Sequence, residues 1–259
     1  LNECDSNLEG WENDRVNVGK MLDFLDRRDT SRPFFTFQFF ESPHARYYFP
    51  PESIIRKDYL DDFNYVTTDL EEKIDLIKNR YINSCHHLDS QHARILDYLK
   101  EHDLLDTTLV IVTGDHGEEF MEKGRWGHNS TFSEEQVKAP LIVWIPGQSP
   151  REIESTTSHL DIPPTLMKIL GVVNPPEDYC LGYDLLGPHE REYTLISDWN
   201  DLGYVGPNVK AQFSLESYGF ADPLVTTRDD KPIDDPDGFL RDNRDRLAAI
   251  MKDMARFGK

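Results

Sequence analysis

Polar and apolar positions along this chain follow two rhythms, a helical spacing of three and four residues and short unbroken apolar runs. Residues 1–14 are polar and read as irregular chain. Val16, Met21, Leu22 and Leu25 then recur at helical spacing, and Arg32-Pro33 ends that segment. Phe34-Phe35-Thr36-Phe37-Gln38-Phe39-Phe40 reads as a buried strand, left through Glu41-Ser42-Pro43-His44 into a loop rich in Tyr and Pro. Residues 53–63, acidic and aromatic, read as surface cover.

From Thr68 to His102 the period is helical again, with Leu70, Ile74, Ile77, Tyr81, Cys85, Leu88, Ile95 and Leu99 on one stripe. That length predicts two helices, or one with a break. Leu109-Val110-Ile111-Val112-Thr113 follows, and this helix-then-strand order predicts a crossover onto a parallel neighbour. Residues 140–147 read as another short buried strand with clear stops at both ends, and residues 158–171 read as a loop and then a helix closed by Gly171. Beyond Pro175 the chain is turn-rich, with short strands expected at 193–197 and 224–227, a charged loop at 228–238, and a terminal helix carrying Leu240, Leu247, Ile250, Met251 and Met254. No internal repeat occurs.

Composition narrows the function classes. The 259 residues contain 28 Lys+Arg against 48 Asp+Glu, a formal charge of −20. Phosphate backbones are bound by clustered cations, so nucleic acid is excluded as a general partner. A small anionic substrate is not, because a bound metal reverses the local field. No run approaches the roughly 20 apolar residues of a membrane span. The chain starts at Leu1 without a signal-peptide pattern, which reads as a processed piece of something longer. Cys4, Cys85 and Cys180 form no CxxC pair, which argues against a zinc–thiolate site and allows one disulfide with a leftover thiol.

The chemistry concentrates in Gly114-Asp115-His116-Gly117-Glu118-Glu119. A β-branched run stops at a glycine, and a carboxylate and an imidazole follow at once. In open α/β sheets ligands bind beyond the carboxyl ends of such strands, and both side chains are competent metal ligands. Glu118 and Glu119 read as exposed turn acids, with a place behind the metal ligands, supporting them, as the alternative. His86, His87, His92 and His102 read as surface or core-edge residues of the long helix. Asp161, Pro163 and Thr165 read as builders of a loop and helix start.

Four blocks then occur in a telling order: Pro33-Phe34-Phe35 with Pro43-His44-Ala45-Arg46-Tyr47; Tyr81 through Gly117; Gly124-Arg125-Trp126-Gly127-His128 through Pro140-Leu141-Ile142-Val143; and His159-Leu160-Asp161-Ile162-Pro163-Pro164-Thr165-Leu166 through Gly171. Together they resemble the sulfatase branch of the alkaline-phosphatase-like superfamily, which also includes phosphoethanolamine and phosphoglycerol transferases. The resemblance implies an α/β fold with a mixed, mostly parallel sheet flanked by helices. On it, residues 1–190 are a core lacking its nucleophile segment, and residues 191–259 a small C-terminal α+β portion packing on that core.

The resemblance implies that Asp115 and His116 hold one divalent metal ion (Ca, Zn or Mn), with His44 and His128 as catalytic residues at the ester. His128 stands where sulfatases usually carry lysine. The implied activity is metal-dependent sulfuric ester hydrolysis on a small anionic ester such as a sulfated or phosphorylated sugar or lipid. A phosphoethanolamine-type transferase or phosphoesterase, and a non-catalytic membrane-tethered lipid-binding or sensor domain, remain alternatives. The nucleophile of the family, a modified Cys or Ser or a Thr, has no counterpart motif in these residues. The implied location is periplasmic or extracellular, with a membrane reached only through a segment outside this chain. Substrate recognition is expected in loops such as 46–61 and 200–222.

Overall fold

The computed structural model describes residues 7–64, 67–188, 191–215 and 223–257. The chain forms two compact units, one made of residues 1–115, 119–127 and 139–149, the other of 116–118, 128–138 and 150–259. Residues 191–259 thus lie wholly within the second unit, together with 150–190.

In the first unit α1 (Gly10–Arg27) begins six residues earlier than the apolar stripe suggests. Glu9 and Glu12 close a capping box around its first turn, which satisfies N–H groups that the helix leaves orphaned. α2 (Leu70–Glu101) is one unbroken helix of 32 residues, because no Gly or Pro interrupts it. Asp69 caps it through the N–H of Glu72.

α1 and α2 pack together, and their buried faces carry Asn13, Asp14 and Asn17 opposite Asn83, Ser84, His87 and Gln91. These polar groups tie down loops. Asp14 accepts the N–H of Glu41 at 2.8 Å and of Ser42 at 2.9 Å, and burial is the main reason its carboxyl is pushed up. Asn83 accepts from Ile55 and Arg56 and donates back to the carbonyl of Arg56. His87, expected at the surface or core edge, is wholly buried.

Residues 34–40 show the period-two exposure of a strand, with Phe35, Phe37 and Phe39 at 84%, 79% and 64%, but among the described residues they join no ladder. β1 (Val110–Thr113) pairs with β4 (Leu141–Trp144), and the pairing is antiparallel. The parallel neighbour expected from the helix-then-strand order is therefore absent from the described ladders, all of which are antiparallel. With one partner each among the described residues, β1 and β4 are partly exposed rather than buried on both faces. β2 (Glu119–Phe120) and β3 (Trp126–Gly127) form a tight hairpin. Phe120 joins Tyr47, Phe63 and Ile77 in the core of this unit, with Tyr81 and Trp126 packed against it.

The second unit holds α3 (Glu134–Val137) and α4 (Ile162–Ile169), the latter ended by Gly171 at φ +83° as expected. Asp161 at the start of α4 is buried, accepting the N–H groups of Ser158 and Tyr183 and pairing with Arg191. β5 (Thr194–Ser197), β6 (Asp201–Val205), β7 (Val209–Ser214) and β8 (Leu224–Thr227) make an antiparallel meander. β6 and β7 correct the expectation of a recognition loop at 200–222, of which 216–222 lie outside the described residues. Val209, Ala211 and Phe213 alternate strictly with Lys210, Gln212 and Ser214, the period of a strand, but Gly203 and the turn residues Gly206-Pro207-Asn208 make the stretch read as loop. The terminal helix is two, α5 (Pro236–Asp242) and α6 (Arg244–Phe257). Leu240, Leu247 and Ile250 pack on Tyr204, Ala211 and Val225, while the side chain of Met254 lies outside the described set. Cys85 and Cys180 are free thiols, and Cys4 falls outside the described residues.

Candidate functional site

The β2–β3 hairpin makes the site by register. Glu119 pairs with Gly127, so Glu118 and His128, the next residue along the chain on each side, come together. The hairpin itself is held by Glu119, whose buried carboxylate accepts the N–H groups of Lys123 and Arg125, both at 3.0 Å. Gly124 at φ +80° turns the chain where a side chain would be strained.

His116, Glu118 and His128 form the one group of metal-competent side chains found among the described residues, with ligand atoms within 4.8 Å of one another. Glu118 Oε2 lies 2.9 Å from His128 Nδ1. The rings of His116 and His128 stack with centroids 3.9 Å apart and planes 29° apart. His116 Nδ1 lies 2.7 Å from the carbonyl oxygen of Gly117. As a carbonyl only accepts, Nδ1 is the donor in this contact, which leaves Nε2 as the nitrogen for a ligand.

The segments bearing these residues are clipped to α3. Gly117 donates its N–H to the carbonyl of Gln136 at 2.8 Å, and a Cβ at Gly117 would stand 2.1 Å from the carbonyl oxygen of Glu135. The side chain of Gln136 accepts from the N–H groups of Ser130 and Thr131 and donates to Ser130 Oγ. Below this loop, Lys210 on β7 donates to the carbonyl of Phe132 at 2.8 Å and pairs with Asp230. Arg228 pairs with Glu134 at 3.0 Å.

Of the four residues singled out from the sequence, two, His116 and His128, are in contact. Asp115 is exposed, next along the chain before His116, and is not a member of the three-residue group. His44 sits in the first unit, in a turn where its N–H donates to the carbonyl of Glu41, its carbonyl accepts from Tyr47, and its Nδ1 lies 2.9 Å from the carbonyl of Ala45. Glu118 is not an exposed turn acid, the first of the two readings its sequence allows. Its side chain is only 9% exposed. The signal for it was the hairpin register, which no local pattern prints.

The family model named Sulfatase matches residues 3–172. Mouse arylsulfatase K is 36% identical over 117 residues, 45% of this chain and 21% of that protein. The inner membrane protein YejM of Salmonella typhimurium is 28% identical over 150 residues, 57% of this chain and 25% of that protein. The crystal structure of a phosphonate monoester hydrolase from Agrobacterium radiobacter superposes with a TM-score of 0.72 at 19% identity, covering 95% of this chain and 61% of that one. That likeness carries the fold alone, and it is the α/β fold expected for alkaline-phosphatase-like proteins. The chain spans about a quarter or less of the matched curated relatives and under two thirds of the matched structure. With its family model covering more than half of the sequence, the chain belongs to the sulfatase family.

Proposed function

We propose that this chain supplies the metal-binding and leaving-group side of a sulfuric ester hydrolase. Asp115 and His116 hold one divalent ion, whose charge would polarise an ester oxygen and stabilise an ionised hydroxyl nucleophile. A carboxylate with imidazole is a mixed O/N donor set, which suits Zn or Mn better than the all-oxygen shell preferred by Ca. His128 exchanges a proton with the leaving oxygen, and His44 contacts an anionic oxygen of the ester. The attacking hydroxyl comes from outside residues 1–259. The substrate is a small sulfated or phosphorylated sugar or lipid, met in the periplasm or outside the cell. No helix among the described residues is long and apolar enough to cross a membrane, so membrane attachment is assigned to a segment outside this chain.

The observation that carries this reading is the convergence of His116, Glu118 and His128 directly after Asp115, in a chain of the sulfatase family. The experiment is an assay of the full-length protein with Ca, Zn or Mn against an aryl sulfate and an aryl phosphate, beside Asp115→Ala. Metal-dependent turnover of the sulfate, lost in the variant, supports the reading. No turnover of either ester, or an unaffected variant, overturns it. A phosphoesterase is the second reading, favoured by histidine rather than lysine at position 128. It is chosen if the phosphate is the faster substrate.

A further inference from the structure

Two acids adjoin at the base of the hairpin, and the structure sorts them. Glu119 is fully buried, and its carboxylate holds the turn N–H groups of Lys123 and Arg125. Glu118 Oε2 meets His128 Nδ1 at 2.9 Å, with side chains 9% and 20% exposed. Successive side chains of an extended segment point to opposite sides, so of this pair only Glu118 reaches the histidine.

We propose that Glu118 is a positioning residue for His128. This rests on the role given above to His128. The carboxylate, an acceptor only, holds the proton on Nδ1 and so leaves Nε2 for the reacting ester; with Nε2 protonated as well, that nitrogen gives its proton to the leaving oxygen as the ester bond breaks and is left with the lone pair. It also selects the ring orientation: turned over, the imidazole would set a C–H against the carboxylate and lose a charge-assisted bond. The parts on either side of this bond are held independently. Gly117, next to Glu118, is tied to the backbone of Gln136, and the loop after His128 is tied to the side chain of the same residue. His116 covers the ring face at 3.9 Å. One clip thus fixes both the acid and the base, the arrangement needed for a carboxylate to orient a histidine.

The test uses full-length protein carrying labelled histidine and stripped of metal, with the tautomer of His128 read by heteronuclear NMR. The expected result is the Nδ1–H form in the wild type, kept in Glu118→Gln, whose amide oxygen still accepts, and shifted to Nε2–H in Glu118→Ala. In steady-state assays with the aryl ester, Glu118→Ala is expected to lower kcat about 10- to 100-fold with KM little changed, and Glu118→Gln to recover part of it. An Nε2–H tautomer in the wild type, a tautomer unmoved by Glu118→Ala, or a moved tautomer with unchanged kcat overturns the proposal. If the wild type turns over no ester, the proposed function fails, and the tautomer still decides the role of Glu118.

Discussion

His116 and His128 stack at 3.9 Å although eleven residues separate them, because the β2–β3 hairpin folds the chain back between them. Each ring has its Nδ1 committed, one to the carbonyl of Gly117 and the other to Glu118. In the roles proposed, that leaves Nε2 of His116 for a metal and Nε2 of His128 for the ester.

Removing the metal-side ring is the direct check. With Zn or Mn titrated calorimetrically into full-length protein, His116→Ala is expected to weaken binding by more than about a hundredfold, since even residues that only orient a ligand cost 10- to 100-fold. An unchanged affinity would rule His116 out as a ligand.

Gly117 is there for space. Its N–H holds Gln136, and any Cβ would collide with the backbone of Glu135 at 2.1 Å. Gly117→Ala should cost about 1–3 kcal/mol in urea unfolding and depress activity along with it. A variant as stable and active as the wild type would show that this turn is not held as described.

Arg80 is a similar test in the first unit. It is buried, donates to the carbonyls of Arg46 at 2.7 Å, Leu60 at 3.1 Å and Asp61, and sits over the rings of Tyr48 and Phe49. Lysine cannot span three acceptors with a planar fork. Arg80→Lys is expected to lose about 2–4 kcal/mol of unfolding free energy, and a loss below 0.5 kcal/mol (roughly the scale of a surface change) would contradict it.

His87 predicts a pH dependence. Burial, and then the charge of Arg15, hold its imidazole down at about 4, against an ordinary 6.5. Between those values the unfolded chain binds a proton that the folded chain does not, so stability rises with pH across this window. The contribution is fully present above pH 6.5 and is lost as pH falls toward 4, by about 1–3 kcal/mol. Urea unfolding at pH 7 and pH 4.5 checks it: His87→Gln should lose less stability on acidification than the wild type. Equal losses would show that His87 titrates alike in both states.

Legibility in the sequence followed the range of the interactions. The turn at Gly114–Gly117 and the helix Ile162–Ile169 were readable because their signals, a stopped apolar run and a proline start with Gly171 just past the end, are local. The polar faces of α1 and α2 were not. Asp14 holds Ser42 and Asn83 holds Ile55 across 28 residues each, and a periodicity of apolar residues counts such positions as surface. Lys210 shows the same limit: it takes a polar position in the alternation of β7, which reads as solvent-facing, yet it is buried and paired with Asp230.

By itself, then, the sequence determined the family, the order of its four blocks, and Asp115 and His116 as neighbours at a strand end, because adjacency along the chain needs no folding. Which of two adjacent acids faces a histidine was decided only by the tertiary structure. Glu118 and Glu119 are chemically alike, and it is the pairing of Glu119 with Gly127 that turns one toward the hairpin backbone and the other toward His128.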